Sequence, residues 1–74
     1  MTNRLWNYLA EELDTPRSYI ELETEKGAIE VEPNYSSYSD ELHGFIAFHD
    51  GQMISSRDES DNRIWNEIEK CLFN

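Results

Sequence analysis

Residues 18–32 read Ser-Tyr-Ile-Glu-Leu-Glu-Thr-Glu-Lys-Gly-Ala-Ile-Glu-Val-Glu, and this stretch decides the fold. Apolar and acidic residues alternate with a period of two, the signature of a half-buried strand. Ile20 and Leu22 point one way; Tyr19, Glu21, Glu23 and Glu25 point the other. Lys26-Gly27 is a turn signal. The alternation then resumes over 28–32, with Ile29 and Val31 inward and Glu30 and Glu32 outward. Pro33 is expected to close that second strand. A two-residue loop at Lys26-Gly27 sets Leu22 opposite Val31 and Thr24 opposite Ile29, and it places Glu23 opposite Glu30 and Glu21 opposite Glu32. A slip by one residue would send Ile29 and Val31 to the acidic face, which disfavours it.

Upstream of the hairpin, Leu5, Leu9 and Leu13 recur every four residues, with Trp6 and Ala10 alongside. That spacing predicts an amphipathic helix over 3–13. Thr2 is its expected N-cap, and Thr15-Pro16 ends it, because proline disfavours helix in the residue before it. Downstream, 34–42 is a polar loop holding Tyr35, Tyr38, Asp40 and Glu41. Residues 43–49 read as a strand that is apolar on both faces at Phe45, Ile46, Ala47 and Phe48. Asp50-Gly51 is the strongest hairpin signal in the chain, and 52–56 is the return strand. A charged connection leads to a last helix over 61–73, capped by Ser60 or Asp58, with Ile64, Ile68 and Leu72 as its stripe and Trp65 and Cys71 beside it.

The order is helix, four strands, helix. Two amphipathic helices need one apolar surface, and an antiparallel sheet offers one apolar face and one solvated face. The expected fold is therefore α+β, αββββα, in two layers, with a four-stranded antiparallel sheet and both helices on one sheet face. Trp6 and Trp65 enter the core, and the glutamates line the outer face.

Composition narrows the function classes. The 74 residues are expected to form a single compact domain. Two Trp, four Tyr and three Phe suffice for a core, which argues against wholesale disorder. The longest apolar run, 45–48, is too short for a transmembrane helix or a signal-peptide core. One cysteine, Cys71, supports neither a disulfide framework nor a cysteine-rich zinc site, so a reduced, cytoplasmic chain is expected. Cys71 itself reads as a small core residue. Sixteen acids against six bases give a net charge of −10. Such a chain is repelled by nucleic acid and by anionic membranes, and its natural partner is a basic protein.

The acidic hairpin face is the candidate site. Glu21, Glu23, Glu25, Glu30 and Glu32 share it, although like charges across a ladder destabilise a sheet and Glu is a poor strand former. A solvated face that also keeps edges from pairing is the plain explanation. Three features favour an anionic platform instead. Glu11, Glu12 and Asp14 crowd the end of the first helix, where the helix dipole prefers cations. Glu21 to Glu25 spans about 13 Å of strand, so five charges there exceed half the density of duplex DNA at one charge per ~1.7 Å. Finally, Tyr19, Tyr35 and Tyr38 lie nearby, and tyrosine rimmed by charge suits an interface anchor.

Other chemistry is expected to be absent. His43 and His49 are six residues apart, about 20 Å along one strand, which is too far to share a metal ion. No nucleophile elbow, P-loop or dinucleotide fingerprint is present. A catalytic carboxylate pair needs a cleft that separates its pKa values, and a small open-faced sheet offers little enclosure. Neither an enzyme nor a cofactor is expected.

In size, acidity and the Glu21/Glu23/Glu25–Glu30/Glu32 pattern, the chain resembles small phage anti-CRISPR and DNA-mimic inhibitors. The resemblance is one of type, without a shared motif. It implies a protein that occupies the basic groove where a nuclease or CRISPR surveillance complex binds nucleic acid. An immunity or antitoxin protein plugging a basic toxin would use the same surface. A small adaptor that binds by strand addition is a third expectation. The expected state is a monomer or a weak homodimer through the strand around 45–48.

Overall fold

The computed structural model describes residues 1–58 and 62–73. Helix α1 (Asn3–Glu12) is followed by strands β1 (Ile20–Thr24), β2 (Gly27–Tyr35), β3 (Leu42–His49) and β4 (Gln52–Ser55), then by helix α2 (Arg63–Phe73). The strands form one antiparallel sheet in the order β1-β2-β3-β4. The α+β class, the αββββα order and the two layers match the expectation from sequence.

Burial follows the alternation. Leu5, Leu9 and Leu13 from the first helix and its cap share one core with Ile29, Val31, Phe45 and Ala47 of the sheet and Ile64, Trp65 and Ile68 of α2. Every one of those sheet residues lies on the same side, so both helices cover one sheet face. Trp65 is fully buried, and its indole N–H has no hydrogen-bond partner among the described residues. Trp6 is half-buried and meets Phe45 edge-on, with ring centroids 5.0 Å apart. The helices also tie to each other. The Thr2 hydroxyl accepts from Leu5 N–H, which makes Thr2 the N-cap, and donates to the Glu69 carboxylate. Tyr8 stacks edge-on against Phe73, whose ring also carries the Arg4 guanidinium at 4.1 Å.

Four local expectations are corrected. The first hairpin closes at Thr24↔Gly27 and turns through Glu25-Lys26. Gly27 supplies the positive φ, 106°, while Thr24 Oγ1 accepts from Lys26 N–H at 3.1 Å and donates to the Gly27 carbonyl at 2.8 Å. The register therefore slips by two residues. Leu22 faces Ile29, Glu21 faces Glu30 and Glu23 faces Ala28; the Glu23–Glu30 and Glu21–Glu32 pairs are not formed. A slip of two preserves the alternation, so every side chain keeps its face.

Pro33 does not end β2; it is buried within it and pairs with Phe45. Phe45 N–H donates to Ser56 Oγ and its carbonyl accepts from Ser56 N–H, so both groups point away from β2. Pro33↔Phe45 is thus a non-hydrogen-bonded pair. The nitrogen of Pro33 faces the side where β1 has already stopped, at Ile20↔Val31. No ladder bond is lost there, which is the edge condition under which a strand tolerates proline.

The N-cap position of α2 belongs to Asn62, whose carbonyl accepts from Asn66 N–H, rather than to Asp58. Ser60 and the expected helix start at Asp61 lie outside the described residues. Cys71 is exposed rather than core. The last turn of α2 overhangs the β1 edge, and Cys71 Sγ lies 3.6 Å from the Glu23 carbonyl. Among the described residues, no helix is long and apolar enough to cross a membrane.

Candidate binding face

The uncovered face of the sheet can be read row by row from the register. One row runs Glu21, Glu30, Phe48, Met53 across all four strands. The next runs Glu32, Ile46, Ser55. Tyr19 directly precedes β1 in the same alternation and is 60% exposed. Glu23 sits opposite Ala28 on the turn side. The face thus has two halves. The β1–β2 half carries Glu21, Glu23, Glu30 and Glu32; the β3–β4 half carries Ile46, Phe48 and Met53.

The acidic half is not neutralised within the sheet, because none of the four strands contains a Lys or Arg. Glu21 and Glu23 are exposed, and Glu30 and Glu32 are half-buried. The non-hydrogen-bonded geometry at Pro33↔Phe45 propagates by alternation to Glu21↔Glu30. That pair is also non-hydrogen-bonded, the class in which facing side chains lie closest.

The apolar half was legible only as a strand apolar on both faces. The structure divides it: Phe45 and Ala47 are core, whereas Ile46 and Phe48 are half-buried and take no part in the core cluster. Met53 beside them is 67% exposed. Asp50 and Gly51 both take positive φ, 50° and 76°, and form the tight turn that sets Phe48 against Met53.

The remaining sequence-predicted site residues are not gathered on this face. Glu25 lies in the turn, with its carboxylate 3.9 Å from the Lys70 ammonium of α2. That pair is well exposed and contributes little to stability. Glu11 and Glu12 end α1, and Asp14 follows it, all exposed in the helix layer. The Tyr35 hydroxyl donates to the Leu13 carbonyl at 3.1 Å, so this side chain locks the end of α1 to the end of β2. Tyr38 is almost wholly exposed in the β2–β3 loop. With Glu25 off the face, the charge density falls below the five charges in about 13 Å expected from sequence.

His43 and His49 stand near opposite ends of β3. His49 Nε2 lies 2.8 Å from the Lys26 carbonyl, which links the two hairpin turns. No group of three or more His, Cys, Asp or Glu among the described residues is placed to hold a metal. One cleft of about 220 Å³ is lined by Glu23, Glu25, Glu67, Lys70 and Cys71, and another of about 200 Å³ by His49, Gln52, Ile54 and Arg63. Both are smaller than the roughly 300–1,000 Å³ common for small-molecule sites.

No family model, curated protein or solved structure matches the chain.

Proposed function

We propose that this chain is a non-enzymatic binding protein that lays its open sheet face on the nucleic-acid-binding surface of a basic partner and blocks it. The observation that carries this reading is the face itself: four outward glutamates on β1 and β2, with no Lys or Arg in any strand. The Glu21–Glu30 confrontation costs stability, and a basic surface would relieve it. The net charge of −10 steers the chain toward such a surface and speeds encounter. In biological terms the reading is that of a phage inhibitor of a nucleic-acid-targeting defence complex, resembling anti-CRISPR proteins. It acts in the cytoplasm of a bacterial or archaeal host, a compartment in keeping with the free Cys71.

The test is capture from bacterial lysate on immobilised protein, with elution in salt steps from about 0.1 to 1 M, over which the screening length falls from ~10 Å to ~3 Å. A column bearing the Glu21→Gln, Glu23→Gln, Glu30→Gln, Glu32→Gln variant runs in parallel. The expected outcome is a basic protein held by the wild type, lost from the variant and displaced by duplex DNA. Capture that ignores the four substitutions, salt and DNA refutes the reading.

One observation favours a second reading. β4 pairs only with β3 among the described residues, and alternation turns the backbone of Met53 outward. An adaptor could add a strand there. Its binding would be insensitive to salt and unaffected by the glutamate substitutions.

A further inference from the structure

Resting on the basic-partner reading above, we infer that the segment docked on this face is a basic amphipathic helix, and that Ile46, Phe48 and Met53 form its apolar seat. Pairing places each outward acid of β2 beside an outward apolar residue of β3: Glu30 beside Phe48 and Glu32 beside Ile46. Such neighbours lie about 5 Å apart. A matching partner must present cations in one line and apolar groups in a parallel line next to it. A helix does this with residues one turn apart. Its i, i+4 rise is about 6.0 Å, close to the ~6.7 Å between Glu30 and Glu32, or between Ile46 and Phe48, along a strand. A helix running along β2 and β3 therefore keeps step with both lines over the one turn, ~6 Å, that separates their residues.

A second copy of this chain fits the face less well. Ile46 and Phe48 are already half-buried, so the apolar row has on the order of 300 Å² left to bury. A stable interface needs roughly 800 Å² per partner. Extending a self-contact to reach that area would bring together two chains of net charge −10 and their outward glutamates. A basic helix instead recruits the acidic half as part of the contact. A plain phosphate-binding groove, in turn, gives the apolar row nothing to meet.

The experiment uses the full chain and three synthetic probes: a 15-residue helix with a Leu stripe flanked by Lys, the same stripe flanked by Glu, and a shorter oligolysine with as many lysines as the first. Affinity is read by fluorescence titration at 0.15 M salt, and the contact is mapped by amide chemical shifts. The Leu/Lys helix is expected to bind at least tenfold tighter than either control, with shifts centred on Glu30, Glu32, Ile46, Phe48 and Met53. Phe48→Ser is expected to cost at least tenfold for that probe and to leave oligolysine unaffected. Met53→Ser, at a position outside the core, is expected to act in the same direction and guards against misfolding of the first variant. Oligolysine binding as tightly as the Leu/Lys helix overturns the inference and leaves the basic-partner reading standing. Equal binding of the Leu/Glu helix overturns both. A dimer in sedimentation equilibrium that Met53→Ser converts to monomer assigns the seat to a second copy and overturns the inference.

Discussion

If the outer face binds a basic partner as proposed, stability and binding pull in opposite directions at the Glu21–Glu30 pair, and the cost to stability can be worked out. The two residues face each other across β1 and β2 in a non-hydrogen-bonded pair, which sets their Cβ atoms about 5 Å apart and gives the scale on which two parallel carboxylates interact. At that distance Coulomb repulsion is ~0.8 kcal/mol in water and about 3 at an effective dielectric of 20. Glu21 is exposed and Glu30 half-buried, which holds the net effect near the lower figure, about 0.5–1 kcal/mol. Glu30→Gln keeps the shape and removes the charge. It is expected to stabilise the fold by that amount, raising Tm by about 3–6 °C in a domain of this size. Glu21→Gln should do the same, and the double variant should fall short of the sum by about 0.5–1 kcal/mol. Urea unfolding followed by the fluorescence of the buried Trp65 measures each term. In 1 M salt the screening length is ~3 Å and the coupling should vanish. A Glu30→Gln variant that is less stable, or a coupling unchanged by salt, would refute the view that this face is held against electrostatic cost.

Two further predictions concern how the face is built. Gly44→Ala would place a Cβ 2.7 Å from Ser56 Oγ, the acceptor for Phe45 N–H, so it is expected to cost about 1–3 kcal/mol through that lost bond; in a Ser56→Ala background, where only ordinary contacts to Arg57 and Trp6 remain, the same change should be neutral or stabilising by ~0.5 kcal/mol, and equal costs in both backgrounds would disprove the coupling. Tyr35→Phe deletes the hydroxyl that donates to the Leu13 carbonyl and should lower stability by about 1 kcal/mol with no change in partner affinity, whereas a loss of affinity at unchanged stability would return Tyr35 to the binding face.

The fold was legible because its strongest signals are periodic. Alternation over 18–32 and four-residue spacing in both helices each assign an inward face, and a single sheet is what two such helices can share. What escaped was local. The hairpin slip is invisible to pattern because moving the turn from Lys26-Gly27 to Glu25-Lys26 leaves every side chain on its face; only the hydrogen bonds of Thr24 and the φ of Gly27 distinguish the two. Pro33 reads as a stop, since proline cannot donate to a ladder. That rule concerns the direction of the missing N–H, and here it follows from where β1 ends and from Ser56 capturing both backbone groups of Phe45.

The candidate site was half legible for the same reason. Charge announces itself in a sequence, so Glu21, Glu23, Glu30 and Glu32 could be placed on the outer face by parity alone. The run 45–48 could not be divided, because an unbroken apolar stretch fits either face. Only its pairing shows that Ile46 and Phe48 continue the rows begun by Glu32 and Glu30. On the proposed function the two halves would divide the work of binding. Outward glutamates would act at a distance and set how fast a basic partner arrives, an effect that fades with salt. The Ile46, Phe48 and Met53 row would act only on contact and set how long that partner stays. A chain that carried charge alone would bind any cation weakly. Apolar seats placed one strand away from the acids, as proposed here, would select a partner whose cations and apolar groups lie side by side.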